Sequence, residues 1–228
     1  MSTPLLSVIL PVYNAEKFLL DALESISAQT FQNWEMLAIN DGSTDNSLEI
    51  LKKYAVTEPR IRLINRENKG LAATLNEGII EAKGEWIARM DADDISLPHR
   101  FESQLAWIQK QQADVCGGGI KWFGDQSGNS WAFPTTCEGI YAWLLFKPAF
   151  SHPTVVMKKE VAKRFLYNTH FKHAQDYELW TRMALNSVRM TNLPEIVLRY
   201  RIHGTQISQA KKELQTNLRM KITREYWQ

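Results

Sequence analysis

Only two cysteines, Cys116 and Cys137, occur in 228 residues, and neither belongs to a C-x-x-C pair or lies near two histidines. A disulfide framework and a zinc site are therefore not indicated, and free thiols in a reducing compartment are expected. Long apolar runs are missing as well. None approaches the roughly 18 residues that cross a bilayer, and the opening Met1-Ser2-Thr3-Pro4 has no basic n-region. A cytoplasmic protein, neither secreted by signal peptide nor integral to a membrane, is the expectation. Charge of one sign is lacking too: 27 Lys and Arg stand against 25 Asp and Glu, a net +2 with pI near 8.5, which argues for no nucleic-acid partner. There is no internal repeat and no low-complexity linker.

What is present is 44% hydrophobic and 23% charged residues, enough for one substantial core. The eight tryptophans suit that core first and ring stacking on a sugar second. Leu5 to Leu10 is a near-continuous apolar run stopped by Pro11, as in a strand buried on both faces. Asn14 then offers a helix cap, with Phe18, Leu19, Ala22, Leu23 and Ile26 on one face. Trp34 to Ile39, Ile61 to Ile64 and Trp86 to Met90 read as further strands. Leu48, Leu51 and Tyr54 mark one intervening helix; Leu71, Leu75 and Ile79 mark another.

Four strand–helix alternations predict a mostly parallel sheet flanked by helices, and such sheets bind ligands beyond the carboxyl ends of their strands. The second half reads as irregular α+β. A helix starts at Pro98, and Val115 to Phe123 forms a hairpin segment whose three glycines permit close backbone approach to something. Short helices at 139–146 and 159–165 flank a strand at 154–157. A helix at 174–185, a strand at 195–202 and a basic helix at 209–225 follow.

The most demanding stretch is Gly84 to Asp94, an apolar run that ends in Asp91, Asp93 and Asp94. Carboxylates this crowded repel one another and resist desolvation. Asp91 and Asp93, two apart on an extended strand end, point the same way and present hard oxygens to Mg²⁺ or Mn²⁺. A calcium hand fits less well, because Ile95 and Ser96 occupy its fifth and sixth positions and Pro98 interrupts the loop. An aspartyl-phosphate phosphatase would carry its Asp-x-Asp after the first strand, followed by Thr or Val.

Together, Ser7 to Asn14, Gln29-Thr30-Phe31, Asp41-Gly42-Ser43-Thr44-Asp45, Asn68-Lys69-Gly70-Leu71, Asn76, Gly84-Glu85-Trp86-Ile87, Asp91-Ala92-Asp93-Asp94 and Gln175 to Trp180 resemble the family 2 inverting glycosyltransferases of the GT-A fold. The likeness runs from about residue 5 to 204. It implies a Rossmann-like single domain, with residues 1–95 binding the nucleotide-sugar, 96–205 binding the acceptor and 206–228 forming a C-terminal helix. It further implies a nucleotide-diphosphate donor, usually a UDP-sugar, a divalent Mn or Mg, and a saccharide or lipid-linked saccharide acceptor in cell-surface polysaccharide synthesis.

Carried over by position, Pro11 and Tyr13 flank the uracil and Asp41 bonds the base. Gly70, Asn76 and Ala92 line the donor, Asp91 meets the ribose side and Asp93 ligates the metal. Asp176 is the general base. Gln175 and Trp180 sit on the sugar side, Trp180 one turn on from Asp176. His203, after Arg199 to Ile202, corresponds to a metal or diphosphate contact, the alternative being an ordinary surface histidine. His152 either faces the acceptor or merely ends a strand. Two departures stand out: Asn40 where an Asp is common, and Leu75 where an Arg is common.

The C-terminal helix sets Lys211, Lys212, Arg219, Lys221 and Arg224 beside Leu214, Leu218 and Ile222. That pattern suits an anionic leaflet, its own domain or a second copy in a homodimer. Two other functions compete. A sugar nucleotidyltransferase would need a glycine-rich phosphate loop where Pro11-Val12-Tyr13-Asn14 has no glycine, and a non-catalytic nucleotide-sugar-binding module would leave Asp176 without a task.

Overall fold

A computed structural model describes residues 3–128, 130–204 and 212–227. Strands β1 (Leu6–Val12), β2 (Trp34–Asp41), β3 (Ile61–Arg66) and β4 (Trp86–Arg89) lie parallel in the order β3-β2-β1-β4. The continuous apolar run of β1 is explained by its two covered faces. Val8, Leu10 and Val12 pack with Leu19, Leu23 and Ile26 of α1 (Leu19–Ser27) and Leu51 of α2 (Ser47–Thr57). Ile9 points the other way, onto Leu75 and Ile79 of α3 (Leu71–Glu81). Each such fully buried side chain contributes roughly 1.5–3 kcal/mol. The strand runs on through Pro11, because β4 pairs with β1 only as far as Ile9, and proline's missing N–H is tolerated where a neighbour flanks one side alone.

Beyond β4 the sheet changes character. It continues as β8 (Val156–Lys158), β6 (Val115–Gly124), β9 (Met190–Ile202) and the two-residue β5 (Ile95–Ser96), with β7 (Ser130–Trp131) paired to β6 as the expected hairpin. Here β4–β8, β8–β6 and β9–β5 are antiparallel and only β6–β9 is parallel, so the mostly parallel description holds for the first half. The glycines of β6 serve this packing: a Cβ on Gly117 would stand 2.1 Å from Asn192 Oδ1 and 2.6 Å from Phe150. Strand β9 begins five residues before the expected Glu195. Leu193 pairs with Gly118 and Ile196 with Gly119, so Pro194 falls in an irregularity where its absent N–H costs no ladder bond.

Helices α4 (Arg100–Gln111), α5 (Cys137–Leu144), α6 (Lys159–Arg164), α7 (Gln175–Leu185) and α8 (Lys212–Tyr226) cover the second half. Ile222 of α8 is fully buried and Leu218 packs beside it on the main core, so much of the apolar stripe lies on the chain's own domain. Among the described residues no helix is long and apolar enough to cross a membrane. Asn14 does not cap α1. It adopts φ +49°, and its Oδ1 accepts the Thr44 N–H at 2.8 Å, tying the end of β1 to the loop after β2.

Candidate active site

The acidic run lies just past the end of β4, and its position is fixed by β9. Ile95 pairs with Arg199, which brings Arg201 and His203 beside residues more than 100 positions earlier. Arg201 donates its N–H to Asp94 Oδ1 at 2.8 Å and its Nε–H to the Asp93 carbonyl at 2.7 Å. His203 Nε2 is 2.9 Å from Asp93 Oδ2, and its ring packs 5.0 Å from that of Phe18. Asp91, Asp93 and Asp94 each offer an oxygen within 4.8 Å of the others. Burial first, then mutual repulsion, pushes the Asp94 carboxyl well above the usual range, and burial raises Asp91 against the opposing pull of Arg89. One Asp94 oxygen is buried without a partner among the described residues. Three crowded carboxylates beside an imidazole form a hard donor set that suits Mn²⁺ or Mg²⁺. Asp94 is the structural member, since it is fully buried and holds Arg201.

Asp176 faces the same region from the first turn of α7. Its carboxylate accepts the Tyr177 N–H, while burial raises its pKa above the usual carboxylate value, opposed by that bond and by the charges of Arg89 and Arg219. The Asp176 charge in turn helps to raise Asp91.

Between them stands Arg89, only 4% exposed, ion-paired with Asp91 and with Nε and Nη1 lacking partners among the described residues. Sequence reasoning passed over it. The available signal was a guanidinium on an otherwise apolar strand, two residues before Asp91 and hence on the same face. Tyr167 was also missed, having no local pattern. Its hydroxyl is 2.7 Å from His152 Nε2, and burial together with the Arg89 charge holds His152 well below the ordinary histidine range, hence neutral.

The other expected residues divide clearly. Tyr13 presents a ring 54% exposed beyond β1, next to half-buried Pro11, and is open to a base. Asp41 is buried and already engaged. It accepts the Lys69 and Gly70 N–H groups at 2.8 and 3.0 Å and pairs with Arg66, so it shapes the loop rather than reaching out. Gly70, at φ +85°, makes the left-handed turn into α3 that this bonding requires.

Asn76 does not face the donor with a free amide. Its Nδ2 donates to the Tyr167 carbonyl and its Oδ1 accepts the Tyr167 N–H, both at 2.8 Å. Trp180 is fully buried, 5.2 Å from the Phe150 ring and 6.0 Å from His152, and offers no face to a sugar. Gln175 and Ala92 are buried beside their aspartates. Leu75 is in the core, and Asn40 donates to Asn65 Oδ1 at 2.8 Å, so neither departure opens onto the cleft.

Residues 7–176 match the family model for glycosyl transferase family 2. The chain is 34% identical to the O-antigen biosynthesis glycosyltransferase WbnJ of Escherichia coli, over 88% of this chain and 80% of that one. Among solved structures it resembles S. aureus TarS 1–349 in complex with UDP-GlcNAc (TM-score 0.75, 22% identity, 88% of this chain) and spans 59% of that chain. It also resembles the mannosyltransferase PcManGT of Pyrobaculum calidifontis in complex with GDP-Man and Mn²⁺ (TM-score 0.71, 20% identity, 90% of this chain), again spanning 59% of that chain. At those identities the structures speak for the fold. The family match covers most of the chain and extends from the first strand to Asp176 itself, and the protein belongs to glycosyltransferase family 2.

Proposed function

We propose that the protein transfers a sugar from a UDP-sugar to an acceptor hydroxyl with inversion at the anomeric carbon, using a divalent metal, in the synthesis of a cell-surface polysaccharide. The observation that carries this reading is the meeting of the acidic strand end with Asp176 across Arg89, which sets a cluster of hard oxygen donors against a half-buried carboxylate. Asp93 and His203 would hold the metal, with Asp91 toward the nucleotide. When bound there, Mn²⁺ or Mg²⁺ supplies positive charge for the departing diphosphate.

The chain's own residues do the rest. Tyr13 stacks on the uracil from its exposed position, and the loop tied by Asp41, Lys69 and Gly70 forms the adjacent wall. Asp176 accepts the proton of the acceptor hydroxyl as that oxygen forms its bond to the anomeric carbon. The bond from that carbon to the diphosphate breaks on the opposite side, and UDP leaves. Positioned carboxylate bases contribute about 10²–10⁴-fold. The UDP-GlcNAc complex of TarS, the GDP-Man and Mn²⁺ complex of PcManGT and the O-antigen role in the name of WbnJ support donor class, metal and pathway in turn. The test is a panel of nucleotide sugars scored by UDP release with Mn²⁺, Mg²⁺ or chelator. Metal-dependent release from one UDP-sugar is expected; release that is indifferent to chelator would overturn the metal reading.

A further inference from the structure

Helix α7 begins after Ala174, which has no capping side chain, and within its first turn the Asp176 carboxylate itself accepts the Tyr177 N–H. The aim of Asp176 is therefore tied to how that turn is seated. The two residues that follow it both reach the C-terminal helix α8. Tyr177 Oη donates to the Leu144 carbonyl at 2.5 Å and lies 2.9 Å from Thr223 Oγ1, which in turn bonds the Arg219 carbonyl. Glu178, fully buried, accepts from Arg182 Nε and Nη2 at 2.8 and 3.0 Å and from the Tyr226 hydroxyl at 2.9 Å. Arg182 also donates to the Leu166 carbonyl at 2.8 Å, outside α7, and Tyr226 ties Glu178 directly to α8. Helix α8 is itself seated by Ile222 in the main core. Arg219, one turn before Thr223, carries a charge that favours the ionised form of Asp176.

We propose that α8 is part of the catalytic apparatus: Tyr226 and Thr223 are positioning residues that fix the first turn of α7 and thereby aim Asp176 at the acceptor. This rests on Asp176 being the base, as proposed above. A carboxylate shifted by a fraction of its reach loses alignment with the attacking hydroxyl while the donor side, built on β1 to β4 and the end of β9, is untouched. The contribution is thus one of orientation, and it differs from ordinary core packing in what it alters.

The test uses the full chain with Tyr226→Phe, which removes one hydroxyl and keeps the ring, and Thr223→Val, which keeps the shape. With the donor found in the panel, kcat is expected to fall about tenfold or more, while donor KM and metal-dependent UDP affinity stay within roughly twofold of wild type. Wild-type kcat in both variants would overturn the proposal. So would a fall in kcat matched by an equal fall in the number of UDP-binding sites, because that marks unfolded protein rather than a misaimed base. Asp176→Asn, assayed in parallel, tells the two failures apart. If it keeps its turnover, the base assignment itself is broken. If it loses turnover while both α8 variants run at wild-type rate, only the role of α8 is broken.

Discussion

The acidic run after β4 and the aspartate on α7 reach one cleft from opposite kinds of support. Asp91, Asp93 and Asp94 follow a strand paired on both sides, and the backbone of β9 locks them through Arg201. Asp176 stands on a helix start whose N-cap residue, Ala174, offers no capping side chain and whose anchors lie on distant elements. Strand ends in a parallel sheet are placed by ladders that local sequence announces. A helix start held by tertiary contacts is announced by nothing nearby, and its precision depends on packing made far along the chain.

Removing the base tests that contrast hardest. Asp176→Asn should lower kcat by about 10²–10⁴-fold with UDP binding intact by calorimetry, whereas Asp93→Ala should abolish the metal dependence of UDP binding itself. If both variants lost UDP affinity equally, the two supports would not be separable. Next comes Trp180, which seats α7 against Phe150. Trp180→Ala should cost roughly 3–5 kcal/mol of stability in urea unfolding, and a variant that kept its stability but lost sugar transfer would return the ring to the substrate side. On the strand side, Tyr13→Ala should weaken UDP binding by about 1–3 kcal/mol and leave the melting temperature nearly unchanged, since the ring is already half in water.

The smallest effect lies in the pH profile. Because burial raises Asp176, the proposed base is ionised above its raised pKa, and its contribution is lost as pH falls through it. The acid limb of kcat should therefore lie above the ordinary carboxylate value of about 4. A limb at or below that value would mean that water reaches the site.

Much of the first half was legible because its signals are local. The two-faced apolar runs of β1 and β2 and the helical stripes between them named the elements in order, and the acidic run stood out by its own repulsion. Family likeness supplied Asp176, which composition and spacing alone do not single out. The rest depends on long-range contacts. Asn76 looked like a donor contact and turned out to clasp the Tyr167 backbone, 91 residues away. Trp180 shares a helix face with Asp176, yet that spacing cannot say whether the face meets a sugar or Phe150. Nothing near Tyr167 predicts its pairing with His152. The antiparallel second half escaped for the same reason, since β8 is three residues long and its direction is set only by what it joins.

The bonds from Arg201 to Asp93 and Asp94 also bear on how such enzymes can be recombined. A chimera that keeps residues up to the acidic run and takes its second half from a relative inherits the three aspartates without the clasp that shapes them. Only a graft that also preserves the stretch from Arg199 to His203 carries the site as a working unit. The exchangeable module therefore has a boundary drawn by these two hydrogen bonds, not by the point where the first four strands end.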